Sequence, residues 1–164
     1  MAANGLMYTA SFSNVSITNA AQNIWEIIGG ASCSVLIHSI RLTVTPTITS
    51  GVAQDVRMNL NLQRISTTGT GGSATTPAPV NPRNTIAATT TFNRLVTTPG
   101  TASTVLDSEN VSIIVPYERI YTPDQRIPLA SSGAGTSLYR IALNLSAGLG
   151  GAFNASSEIY FEEI

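Results

Sequence analysis

The sequence predicts an all-β protein, a sandwich or a barrel, with about eight strands and one long Gly/Thr/Pro-rich loop; of the two, an antiparallel, jelly-roll-like β-sandwich is expected. Three observations carry that expectation. Apolar and polar residues alternate with the period of a half-buried strand, most plainly where Val56, Met58, Leu60 and Leu62 interleave with Arg57, Asn59, Asn61 and Gln63. Clusters of Gly, Pro, Asn and Ser separate the apolar runs as turns do. Helical periodicity is nearly absent, and without helices alternating with the strands a parallel α/β fold is excluded.

The strands follow in order. Tyr8, Ala10 and Phe12 alternate with Thr9, Ser11 and Ser13. Ala20 to Ile28 allows a short helix or a strand; with apolar residues on both alternating faces it is read as a sandwiched strand. Ser34 to Thr45 is long and β-branched and breaks only at Pro46. Val56 to Ile65 is the alternating strand above. Thr89 to Val96 is polar and fits an edge or loop-flanking strand. Thr104 to Val115, Ile127 to Leu129 and Ser137 to Leu145 follow, and Ser157 to Ile164 closes the chain. Between two of these, Ser66 to Pro82 has no apolar periodicity and several prolines. A loop of that length in a compact domain is functional or disordered, and it is expected to project as a contact arm. Residues 1–8 are expected to form a short N-terminal arm. The whole of 1–164 reads as a single domain, large enough to bury a core.

Charged residues make up only 10% of the chain, against about a quarter in ordinary soluble domains. Thr, Ser and Asn must therefore cover much of the surface, which suits either contact with other protein copies or a neutral monomer. All eight basic residues are arginine, and the net charge is −1. No basic stripe suggests nucleic acid as a partner. The arginines are compatible with interface ion pairs and equally with compositional drift. No apolar run reaches membrane-span length and no secretory signal is evident, so a soluble protein made in a reducing compartment is expected, with no membrane partner.

Catalytic and metal chemistry find little to work with. Cys33 is the only cysteine and is read as a buried, inert strand thiol. His38 is the only histidine; one of each cannot build a typical zinc site, and the pair is expected on opposite faces of a strand. Glu158 and Glu162 share one strand face with Tyr160 between them, beside Glu163, with Asp107 and Asp124 elsewhere in the chain. They are read as a solvated face or as partners for Arg119 or Arg126, not as a glycosidase pair. Gly148 to Gly151 is a turn, lacking the lysine and helix of a phosphate loop. No enzyme and no cofactor are expected. The segment Pro116 to Pro128 gathers Tyr117, Arg119, Tyr121 and Arg126, residue types that anchor interfaces; packing of an irregular connection on its own sandwich end is the other reading.

Several stretches together resemble a known group. They are Met7 to Thr18, Ala21 to Ile27, Ile37 to Leu42, Leu62 to Arg64, Gly69 to Ser73, Thr76 to Val80 and Phe161 to Ile164. The sequence resembles small uncharacterised proteins encoded in the structural-gene regions of tailed phages and prophages. That resemblance implies a capsid decoration, or cement, protein: a homotrimer on the capsid surface of the virion, bound to the major capsid protein and made in the bacterial cytoplasm. The contact residues expected on this reading are Met7, Tyr8, Thr70, Pro77, Pro79, Tyr117, Arg119, Tyr121 and Arg126. A tail or head–tail connector component is the alternative, and a carbohydrate- or receptor-binding module a further one.

Overall fold

The computed structural model describes residues 5–17, 20–46, 57–134, 137–146 and 153–164. It is an all-β sandwich of two antiparallel sheets. The strands are β1 (Leu6–Ile17), β2 (Gln22–Ile28), β3 (Val35–Pro46), β4 (Arg57–Ile65), β5 (Ser73–Thr75), β6 (Ala78–Pro79), β7 (Thr91–Val96), β8 (Ala102–Ser112), β9 (Tyr117–Ile120), β10 (Ile127–Leu129), β11 (Arg140–Leu145) and β12 (Phe153–Glu163). The first sheet runs β10-β3-β12-β1-β6, with β9 beside β10 on the same side of β3. The second runs β5-β7-β2-β11-β4-β8.

The inner faces are built by the alternation seen in the sequence. Tyr8, Ala10 and Phe12 of β1 meet Ala155, Ile159 and Phe161 of β12 and Ile37, Ile40 and Leu42 of β3. Opposite them lie Trp25, Ile27, Met58, Leu60, Leu62, Ile141 and Leu143. Tyr8 stacks on Phe161 at 5.8 Å between ring centroids, and Trp25 tilts against Phe92 at 6.2 Å. Core parity in β3 switches between Ile37 and Ile40 because the register with β12 slips at His38. Such a bulge re-aims one side chain, and here it frees His38 to meet Glu162 at 3.1 Å.

Several expectations are corrected. Residues 1–4 lie outside the described residues, but Leu6 to Tyr8 belong to β1 and not to an arm, held by β12 on one side and β6 on the other. Ser66 to Pro82 does not project. Glu26 is fully buried on the outer face of β2, and its carboxylate accepts hydrogen bonds from Asn23 Nδ2 at 2.7 Å and from the Gly69 amide at 3.1 and 3.2 Å. A buried carboxylate needs such donors, so the loop is drawn back over the sheet. Thr70 then bridges to Thr98, β5 pairs with β7, and β6 pairs with β1. Thr91–Val96 is second from the edge, because β5 lies outside it. Ile113 to Pro116 forms a turn, so the strand expected to reach Val115 stops at Ser112. A short 3-10 turn, Ser137–Tyr139, precedes β11, and a strand, β9, lies inside the connection read as irregular. Cys33 is in a loop, partly exposed, with its Sγ 2.8 Å from Thr89 Oγ1. Gly148 to Gly151 lie outside the described residues.

Candidate interaction surface

The two sheets present their ends on two lateral edges. On one, β8 closes the second sheet while β9 and β10 close the first. β8 is eleven residues long and mostly exposed. Natural edge strands are blunted by Pro, Lys or inward charge because an open edge recruits other strands; β8 carries neither Pro nor Lys. Its blunting devices are register shifts opposite β4, one of which leaves Leu106 out of the pairing.

Beside it, five large aliphatic side chains are left in solvent: Val105 at 52%, Leu106 at 40%, Ile114 at 72%, Val115 at 63% and Ile120 at 73% relative exposure. Single exposed aliphatics are ordinary, but neighbours on one edge are informative. Leu106 and Ile120 border a groove of about 370 Å³ whose other walls include Leu62, Tyr121 and Ile127. Fully burying a wholly exposed side chain of this kind contributes roughly 1.5–3 kcal/mol; each of these gains a part of that, and covering several together is worth more than the about 0–1 kcal/mol of an exposed ion pair.

Arg119 ties the edge together. From β9 its Nη2 donates to Asp107 Oδ2 on β8 at 2.6 Å and also meets Glu109 Oε1. The hydrogen bond to Asp107 and the charges of both carboxylates hold the guanidinium firmly protonated. These groups are each about a third or more exposed, and exposed pairs are worth about 0–1 kcal/mol. Their effect is therefore positional: the fork fixes β9 against β8. Burial first, then Glu109 and Asp107, pushes the Tyr117 phenol up to about 12. Tyr121 is also raised, chiefly by burial, and its hydroxyl finds no hydrogen-bond partner among the described residues.

The nine expected contact residues divide four ways. Tyr117, Arg119 and Tyr121 do come together here, but Tyr117 is buried and Arg119 is spent inside the molecule, so they frame the surface and do not form its apolar part. Tyr8 and Pro77 are buried and cannot touch a partner; Tyr8 lies on the inner face against Phe161, and its hydroxyl donates to the Ile86 carbonyl at 3.1 Å. Met7, Thr70 and Pro79 keep some exposure on the other side of the sandwich. Arg126 lies 3.8 Å from Glu162, as one of the two partner assignments expected, while Arg119 pairs with Asp107 and Glu109 instead. Glu163 is not solvated: its Oε1 accepts from the Thr89 and Thr90 amides at 2.9 and 2.8 Å. Sequence reasoning missed Val105, Leu106, Ile114, Val115 and Ile120 as surface residues. The signal for two of them was Ile114-Val115-Pro116, an apolar pair without alternation against a proline.

Among the described residues no group of three or more His, Cys, Asp or Glu side chains could hold a metal ion, and no helix is long and apolar enough to cross a membrane. No family model matches the chain, and neither the curated proteins nor the solved structures compared with it give a significant match.

Proposed function

We propose that this chain is a non-enzymatic structural protein of a tailed-phage virion, a jelly roll that decorates the capsid as a homotrimer and bridges major-capsid subunits. The jelly-roll assignment is supported by the pairing order. Folding the chain as one long hairpin sets β1 against β12, β2 against β11, β3 against β9 and β10, and β4 against β8, all antiparallel. Rolling that hairpin lays β12 beside β3 and β11 beside β4, as observed.

The observation that carries the functional reading is the bare β8/β9 edge, where exposed aliphatic side chains stand beside the Asp107, Glu109 and Arg119 cluster. Such an edge serves mechanical contact between protein copies, and a protein that binds only the assembled shell stabilises that shell by linkage. The resemblance drawn from the sequence supplies the setting. The test is the heat-release curve of DNA-filled particles with and without the protein, imaged in parallel. Particles lacking it are expected to lose DNA at lower temperature with unchanged shell geometry. An unchanged release temperature with detached tails would replace this reading with a head–tail connector.

A further inference from the structure

The opposite lateral edge has the complementary character. It consists of β5 and β6, which lie together where β1 touches β5. The Val80 amide donates to the Met7 carbonyl at 2.9 Å, and the Ile86 carbonyl accepts from the buried Tyr8 hydroxyl, so the 80–86 turn runs along this edge. Val80 and Ile86 stand out of it at 46% and 59% exposure. Charge is partitioned the same way. Residues 66–101 contain Arg83 and Arg94 and no acid. Residues 102–124 contain Asp107, Glu109, Glu118 and Asp124 against Arg119 alone, a net charge of −3.

We infer that copies of this chain associate head to tail, the β8/β9 edge of one receiving the β5/β6 edge of the next. The exposed Ile86 seats in the groove between Leu106, Ile120 and Ile127, and Arg83 faces the acidic side. In the self-complementary alternative, β8 against β8 across a two-fold axis, the register that pairs the whole strand, centred on Asp107, sets Asp107 against its own copy, and one centred on Ser108 sets it against Glu109; a register centred on Leu106 avoids the clash but leaves Val111 and Ser112 unpaired. Like charges directly across a strand pair destabilise it, and the register shifts in β8 further interrupt a flat pairing surface. A second copy offering its β5/β6 edge, where the 66–101 segment carries Arg83 and Arg94 and no acid, avoids the like-charge pairing. Two different surfaces generate a ring if the rotation closes. The inference rests on the reading above only for the copy number three.

Disulfide trapping of the full chain tests it, in a Cys33→Ser background, since Ser keeps a hydroxyl beside Thr89. Three variants are compared by non-reducing gel after mild oxidation: Leu106→Cys, Ile86→Cys, and both together. Leu106 and Ile86 are exposed and Cys33 is partly exposed, so the fold is expected to persist, and thermal unfolding of each variant checks this. The double variant is expected to give a covalent ladder that ends at the closed ring, while each single variant stays monomeric on the gel. A ladder ending at three agrees with a decorating trimer. One ending at six keeps the head-to-tail contact but removes the decoration reading. A covalent dimer from Leu106→Cys alone overturns the inference in favour of two-fold pairing. No cross-linking in any variant, with an unmodified chain that scatters light as a monomer, also overturns it and leaves the edge to a different protein. The unmodified chain adds a second reading: raising the salt from 0.05 to about 0.5 M, which shortens the screening length from over 10 Å to under 5 Å, is expected to weaken association measurably.

Discussion

The two lateral edges of the sandwich are finished by different means. At the β5/β6 edge the chain spends a long Thr/Pro-rich segment on covering itself: Gly69 is tied to Glu26, Thr89 and Thr90 to Glu163, and β6 ends in Pro79. At the β8/β9 edge a single arginine pins two strands, and the aliphatic side chains around it are left in water. The first edge invests buried carboxylates in holding a loop. The second invests almost nothing in covering itself. Composition alone points the wrong way here: the polar, proline-rich segment is the packed one, and the aliphatic strand is the bare one.

That contrast is broken most strongly from the core both edges share. Trp25→Ala is expected to cost about 3–5 kcal/mol and to abolish the distinction by loosening the whole sandwich. Trp25 is fully buried against Phe92, and its Nε1 has no partner among the described residues, so the loss is one of packing. Chemical denaturation followed by circular dichroism measures it.

Glu163→Ala acts on one edge only. It strands the buried Thr90 amide and the part-buried Thr89 amide, which carries a cost of about 1–3 kcal/mol. Hydrogen exchange is expected to accelerate at residues 83–90 and to stay unchanged in β8. Equal acceleration at both edges would mean that the carboxylate supports the core and not the loop.

The Tyr117 phenol sharpens the comparison through pH. Its folded value of about 12 lies above the ordinary 10 of an unfolded tyrosine. The folded state therefore holds the proton more tightly, and its contribution to stability is complete below pH 10 and is lost between pH 10 and about 12. Absorbance near 295 nm is expected to show Tyr117 and Tyr121, both raised by burial, ionising after the other tyrosines or only on unfolding. Tyr117→Phe is expected to remove its share of the alkaline loss, with the share of Tyr121 remaining, while leaving stability at pH 7 little changed. A variant whose alkaline unfolding matches the unmodified chain would remove Tyr117 as the cause.

Much of this architecture was legible in the sequence. The alternation in β1, β4 and β11 identified Phe12, Leu60, Leu62, Ile141 and Leu143 as inward, because a half-buried strand imposes period two. The gathering of Tyr117, Arg119 and Tyr121 was legible as well. What stayed hidden depends on contacts distant in sequence. Nothing local says that Glu26 accepts from Gly69, so the loop read as a projecting arm. Pro77 is buried next to β6, whose partner β1 lies about seventy residues away in sequence. The exposure of Val105, Leu106 and Ile120 was hidden for the same reason, because only the sheet order shows β8 to be terminal. His38 moved to the outer face through a one-residue register slip that local periodicity does not reveal.

The smallest change to stability carries the most direct test. Ile120 is 73% exposed, so Ile120→Asp is expected to alter the monomer's stability by no more than about 0.5 kcal/mol. It also places a charge where the proposed contact is apolar. The measurement is the light-scattering mass of the unmodified chain and of Ile120→Asp at micromolar concentration, with unfolding curves for both. The account predicts three times 17.1 kDa for the unmodified chain and 17.1 kDa for the variant, with coincident unfolding of the sandwich once dissociation is allowed for. An unmodified chain that runs as a monomer, or a variant that keeps the full assembly, would contradict it.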